Sequence, residues 1–119
     1  DCSVKIPATA FKAHKYKAEP VIFDGIRFDS KREARRWSAL LLLQRGGVIT
    51  DLRRQVKFAL QGRDGPILTP TGRQAHYVAD FVYTEKGQEV VEDAKGFKTA
   101  DYLLKKAILA AQGIIIREV

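Results

Sequence analysis

Two acidic residues sit where a surface charge with no task is hard to explain. Asp80 lies within His76-Tyr77-Val78-Ala79-Asp80-Phe81-Val82-Tyr83. Period two puts Tyr77, Ala79, Phe81 and Tyr83 on one strand face and Asp80 between Val78 and Val82 on the other. In Glu89-Val90-Val91-Glu92-Asp93-Ala94-Lys95, the same period groups Val91, Asp93 and Lys95 and turns Glu92 away. If Glu85–Gln88 forms a four-residue hairpin loop, Thr84 pairs with Glu89, and Asp80 comes opposite Asp93. Directly opposed side chains have Cβ atoms ~4.5–5.5 Å apart, where like charges repel. A hard divalent cation with oxygen ligands from both resolves that repulsion. The other reading is an exposed polar face on which Lys95 neutralises one acid.

A third carboxylate, Glu33, is the only acid in Lys31–Arg45. On a helical wheel, Trp37 and Leu40 flank it, with Ala34, Leu41 and Leu43 further out. The expected basic, solvent-facing side holds Lys31, Arg32, Arg35 and Arg36. A carboxylate facing the core costs several kcal/mol (~2–7 for a polar group, more for a charge) unless it is paired or bound to a metal. Ser30 with Glu33 three residues on is also a capping-box pattern, in which Glu33 returns to the backbone of Ser30. Local sequence leaves both readings open.

The elements that must position these residues follow from turn and cap signals. Asp24-Gly25 between Val21-Ile22-Phe23 and Ile26-Arg27-Phe28 predicts a hairpin. Ser30 opens a helix that Gly46-Gly47 closes. Gln55–Leu60 alternates, with Val56, Phe58 and Leu60 inward and Gln55 and Lys57 outward. A turn at Arg63–Pro66 and a loop through Gly72 precede strands at about 74–83 and 89–95. Thr99 caps a second helix, Ala100–Gln112, whose expected core stripe is Leu103, Leu104, Ala107, Ile108 and Ala111. Ile114–Ile116 is an expected last, buried strand. The pattern predicts an α/β or α+β domain: a mixed β-sheet with flanking helices over residues 20–119, behind a basic N-terminal arm, 1–19.

The 119 residues carry a formal charge of +7, and the whole excess lies in residues 1–60, with 13 Lys/Arg against 6 Asp/Glu. That asymmetry points to a polyanion, nucleic acid first and an anionic membrane surface second. No apolar run is longer than Ala39–Leu43, far short of the ~20 residues of a membrane helix. A single cysteine, Cys2, makes neither an internal disulfide nor a cysteine zinc cage, and a reducing compartment is expected. No signal peptide is legible. There is no phosphate-binding glycine loop and no nucleophile elbow, so neither a nucleotide cofactor nor serine chemistry is expected.

Asp80, then Asp93-Ala94-Lys95, behind a helical Glu33, resembles the PD-(D/E)xK nuclease superfamily. Gly25–Ala34, Tyr77-Val78-Ala79-Asp80-Phe81 and Val91–Thr99 resemble a family of small phage and prophage nucleases within it, similar to phage endonucleases that resolve branched DNA such as Holliday junctions. The resemblance covers roughly residues 15–119. Ala79 stands where the motif's name has proline, and Asp93 replaces the commoner glutamate. The resemblance implies a restriction-endonuclease-like core and a Mg²⁺-dependent DNA endonuclease, with Mn²⁺ substituting. Glu33, Asp80 and Asp93 would hold the metal, with the Ala94 carbonyl as a further ligand. Lys95 would stabilise charge, or orient or help deprotonate the attacking water. Lys31, Arg32, Arg35 and Arg36 would contact phosphate. Gln55 and Lys57 would join the site, touch phosphate or be plain surface, and Lys98, Lys105 and Lys106 would follow the DNA backbone or form a solvated face. The implied setting is the cytoplasm of a bacterial host, encoded by phage or prophage. Two cuts at a junction make a homodimer the economical assembly. The contrasting reading is a non-catalytic basic DNA-binding module that retains the fold.

Overall fold

The computed structural model describes residues 19–95 and 98–119. The N-terminal arm through residue 18, with Cys2 and His14, lies outside the described residues, as do Gly96 and Phe97. The chain divides into two compact units between Arg35 and Arg36, inside the first helix.

The N-terminal unit contains strands β1 (Val21–Phe23) and β2 (Ile26–Phe28), paired antiparallel with Phe23 opposite Ile26. Asp24 and Gly25 both have positive φ, 55° and 76°, as the expected tight turn requires. Helix α1 (Lys31–Arg45) starts on the Ser30 hydroxyl, which accepts the Glu33 backbone N–H at 3.1 Å. That bond satisfies one of the helix's orphan donors.

The C-terminal unit begins within α1 and is built on a four-stranded mixed sheet. Its strands are β3 (Thr50–Ala59), β6 (His76–Glu85), β7 (Gln88–Asp93) and β8 (Ile116–Glu118), in that order across the sheet. β3, β6 and β7 are antiparallel neighbours, and β8 runs parallel to β7. A parallel return needs a long crossover, and helix α2 (Ala100–Ala111) supplies it. A small hairpin, β4 (Gln61–Gly62) with β5 (Gly65–Pro66), occupies the Arg63–Pro66 turn. This is the mixed α+β architecture expected.

Two apolar clusters hold the unit. Leu40 of α1 packs with Ile49, Phe81 and Tyr83, joined by Trp37 and Leu43. Tyr102 and Leu109 of α2 pack with Leu60, Tyr77, Ala79, Val82, Val91 and Ile116. Ala79 and Val82 thus share a cluster while Phe81 joins the other, so simple alternation along β6 breaks at Asp80. Across β3, the pairs Val56↔Ala79 and Arg54↔Phe81 bracket Gln55, whose φ is +52°. The left-handed backbone there marks the same irregularity.

Three local expectations need correction. In α2, Leu103, Leu104, Ala107 and Ala111 of the expected stripe are exposed, Ile108 is half-buried, and Tyr102 and Leu109 are the buried residues. The inward face carries polar heads with assigned partners: Tyr102 and Lys106 on Glu118, and Gln112 on the backbone of Ala59 and Gln61. A wheel scored on apolarity alone turns that face outward. The last strand starts two residues later than expected, because the Ile114 N–H is still bonded to Leu109 O at the helix end. Finally, β3 begins at Thr50 with a register shift before Arg53, where Asp51 adopts φ +56°.

Candidate functional site

The β6–β7 connection sets the geometry. Glu85 pairs with Gln88, so the turn is only Lys86-Gly87, both at positive φ (52° and 77°). It is tighter than the four-residue loop expected, yet Thr84 still faces Glu89 and Phe81 faces Glu92. The ladder ends at Phe81↔Glu92, one residue short of Asp80 and Asp93. The Ala94 backbone N–H donates to Asp80 Oδ2 at 2.9 Å, which fixes the Asp80 carboxylate beside the end of β7.

Asp93 is 1% exposed. Lys95 Nζ lies 3.1 Å from Asp93 Oδ2, at angles that do not make a hydrogen bond, and this buried oxygen has none. The ammonium also sits 4.6 Å from the centre of the Tyr102 ring, a cation–π placement. Tyr77 packs on Tyr102 with ring centres 6.2 Å apart. The Tyr77 hydroxyl is buried and turned toward Asp93. Its pKa is raised above the ordinary phenol value, chiefly by burial, next by the Asp93 charge and then by a hydrogen bond toward Asp93.

Behind it stands Glu118. Its Oε2 accepts from the Tyr102 hydroxyl at 2.7 Å and from Lys106 Nζ at 2.9 Å, and Lys98 Nζ pairs with Oε1 at 3.1 Å. Hydrogen bonds from Lys106, Tyr102 and Lys98, in that order, hold the Glu118 pKa down at about 2. Burial, then the bond to Glu118, raises that of Tyr102.

Glu92 is fully buried. Arg36 grips it with both arms, Nε to Oε1 at 2.8 Å and a terminal amine to Oε2 at 2.6 Å. The Tyr83 hydroxyl also donates to Oε2, and burial and this bond push its pKa up to about 12. The expected solvent-facing Arg36 is thus corrected: its guanidinium is committed to Glu92. On the wheel it lies only ~60° from Glu33, on the apolar side, at 100° per residue. Lys31, Arg32 and Arg35 are exposed as expected.

The structure brings together Asp80, Asp93, Ala94 and Lys95, and Gln55 of β3 lies between the partners of Phe81 and Ala79. Lys57 is exposed on β3, opposite Val78. Lys98 is tied to Glu118, and Lys105 pairs with Asp101 one turn earlier at 3.5 Å. Glu33 is buried in the N-terminal unit. Among the described residues, no group of three or more His, Cys, Asp or Glu side chains gathers to hold a metal ion, so the acidic pair of the C-terminal unit stops at two. Its donors nevertheless suit a hard cation. One carboxylate is buried with an oxygen lacking a hydrogen bond, and a second is fixed beside it. Sequence reasoning missed Tyr77, Tyr102 and Glu118 as site residues. The only signal for Tyr77 was its place on Asp80's strand, three residues away.

No helix among the described residues is long and apolar enough to cross a membrane. Fold and site define an α+β domain whose mixed sheet carries a buried aspartate–lysine cluster at the end of β7. The chain belongs to the family described as Protein of unknown function (DUF1064), whose model matches residues 13–118. No curated protein and no solved structure matches it.

Proposed function

We propose that the chain is a metal-dependent DNA endonuclease with a restriction-endonuclease-like core, acting on branched DNA in phage or prophage DNA metabolism within the bacterial cytoplasm. The observation that carries this reading is Asp93: a carboxylate 1% exposed, with one oxygen lacking a hydrogen bond, beside Asp80 and Lys95. Such a group is costly to fold and useful only when something fills it.

Asp80 and Asp93, with the Ala94 carbonyl, would hold Mg²⁺ or Mn²⁺, and the motif resemblance alone adds Glu33 as a third carboxylate. When bound, such an ion lowers the pKa of a water and clamps the scissile phosphate. The chain's own part is positioning. The Ala94 N–H holds Asp80 in place, and Lys95, released from Asp93, presents an ammonium to the charge that builds on the phosphate. Exposed Lys31, Arg32, Arg35 and Lys57 supply sequence-independent phosphate contacts. Two cuts at a junction call for a homodimer.

The test is cleavage of linear, nicked and four-way DNA in Mg²⁺, Ca²⁺ or EDTA. Cutting is expected in Mg²⁺ alone and preferentially at the branched substrate. Ca²⁺ is expected to support binding with little cutting, because its looser shell positions water poorly. Undiminished cutting in EDTA removes the metal from the reading. DNA binding that no metal converts to cleavage leaves only a binding module.

A further inference from the structure

Lys95 has two partners of different kinds. Its ammonium lies 3.1 Å from the Asp93 carboxylate and 4.6 Å from the centre of the Tyr102 ring. A divalent cation on Asp93 competes for the same negative charge and repels the ammonium. The ring carries no net charge, and its negative face attracts an ammonium. A hard cation, which takes oxygen ligands, does not compete for that face. The ring therefore remains a partner for Lys95 when the carboxylate no longer is.

That ring is held from three sides. The Tyr102 backbone N–H donates to the Thr99 cap at 3.1 Å. Its hydroxyl donates to Glu118 Oε2 at 2.7 Å, and the Tyr77 ring packs on it with centres 6.2 Å apart. Tyr102 is 5% exposed, and cation–π attraction strengthens where water is excluded. Glu118 already carries Lys106 on Oε2 and Lys98 on Oε1, so its charge is balanced without Lys95.

We infer that Tyr102 is a positioning residue for Lys95: its ring keeps the ammonium beside the site when a divalent cation takes Asp93, and Glu118 holds the ring in place. This rests on the nuclease reading above, and the experiment separates the two. Wild type, Tyr102→Phe and Tyr102→Leu are compared as full chains, with a melting curve for each. The first readout is the NMR resonance of the Lys95 Hε protons, assigned with Lys95→Met, with and without saturating Mg²⁺ and no DNA. Ring current above an aromatic face moves such protons upfield. The second is single-turnover cleavage of four-way DNA, with DNA affinity measured in Ca²⁺. The upfield shift is expected in wild type and Tyr102→Phe, to persist in Mg²⁺, and to vanish in Tyr102→Leu. Tyr102→Phe is expected to melt lower through the lost Glu118 bond yet to keep most of its cleavage rate, because the ring remains. Tyr102→Leu is expected to cut about tenfold more slowly at unchanged DNA affinity. If wild type cuts no DNA in any metal, the nuclease reading falls and this assignment with it. If wild type cuts, but Mg²⁺ returns the Lys95 resonance to its random-coil position, only the Tyr102 assignment is overturned. That arm needs no substitution and decides even where Tyr102→Leu does not fold. The assignment is likewise overturned if folded Tyr102→Leu cuts at the wild-type rate, or if cleavage by both variants simply follows their stability.

Discussion

Glu92 and Asp93 are adjacent in β7, both almost wholly buried, and their surroundings treat the two charges in opposite ways. Glu92 receives two bonds from Arg36 and one from Tyr83, with Arg117 3.9 Å away. Both oxygens are filled. Asp93 has one ammonium near one oxygen, and that oxygen lacks a hydrogen bond. A buried charge that is fully paired serves the fold, tying α1 to β7. A buried charge left partly unpaired costs stability and is retained for what binds it. The pleat places these two roles one residue apart by turning successive side chains to opposite faces.

The largest expected effect breaks this comparison directly. Asp93→Asn and Asp80→Asn are expected to slow DNA cleavage at least a hundredfold, a barrier change of ~2.7 kcal/mol. DNA affinity stays equal or rises, since negative charge facing phosphate is removed, and the melting temperature does not fall. Glu92→Gln is expected to be destabilising instead. Removing one partner of a buried pair costs ~3–5 kcal/mol, and the lower end applies because the Arg36 side chain keeps 29% of its surface exposed. Chemical denaturation and single-turnover cleavage read the two losses separately. A Glu92→Gln protein of normal stability, or an Asp93→Asn protein that unfolds, reverses the assignment.

Much of this frame is legible in the sequence, and what is not has identifiable causes. Ser30 and Gly46-Gly47 bound α1 because caps are local chemistry, and Asp24-Gly25 fixes its hairpin for the same reason. The β6–β7 register survives an error in the turn, since Lys86-Gly87 with Glu85↔Gln88 and a four-residue loop give the same Thr84↔Glu89 pair. The Arg36–Glu92 pair joins residues 56 apart, and no local pattern announces which buried acid owns which base. Likewise, the orientation of α2 depends on Glu118 and on the backbone of Ala59 and Gln61, partners supplied by distant strands. Apolarity shows that a face exists; the polar heads of Tyr102, Lys106 and Gln112 decide which face turns inward.

Glu33 asks the same question of the N-terminal unit, with a smaller expected effect: is this buried carboxylate spent on the fold or kept for a ligand? Ser30 Oγ already accepts the Glu33 N–H, and glutamine serves a capping box nearly as well as glutamate. Glu33→Gln is therefore expected to melt like wild type yet cut DNA at least tenfold more slowly, ~1.4 kcal/mol of barrier. Ser30→Ala is expected to lose ~1 kcal/mol of stability through the cap and to keep its activity while folded. The opposite pattern makes Glu33 a structural cap and leaves the site with two carboxylates.

Glu118 is the intermediate case, a carboxylate as fully bonded as Glu92 but standing nearer solvent, and it yields the smallest effect. Its pKa falls from 4.5 to about 2 because Lys106, Tyr102 and Lys98 donate to the charged form. A group whose folded pKa is depressed binds its proton more readily in the unfolded chain. Its stabilisation is thus complete above pH ~4.5 and drains away as pH falls toward 2. Melting temperature between pH 6 and 2 is expected to decline less steeply for Glu118→Gln than for wild type, with the two curves converging at the acid end. Because the pair is partly open to water, high salt is expected to shrink that difference. Parallel curves at every pH would mean that the three donors spend nothing on the charge of Glu118, and that Tyr102 is held under Lys95 by packing alone.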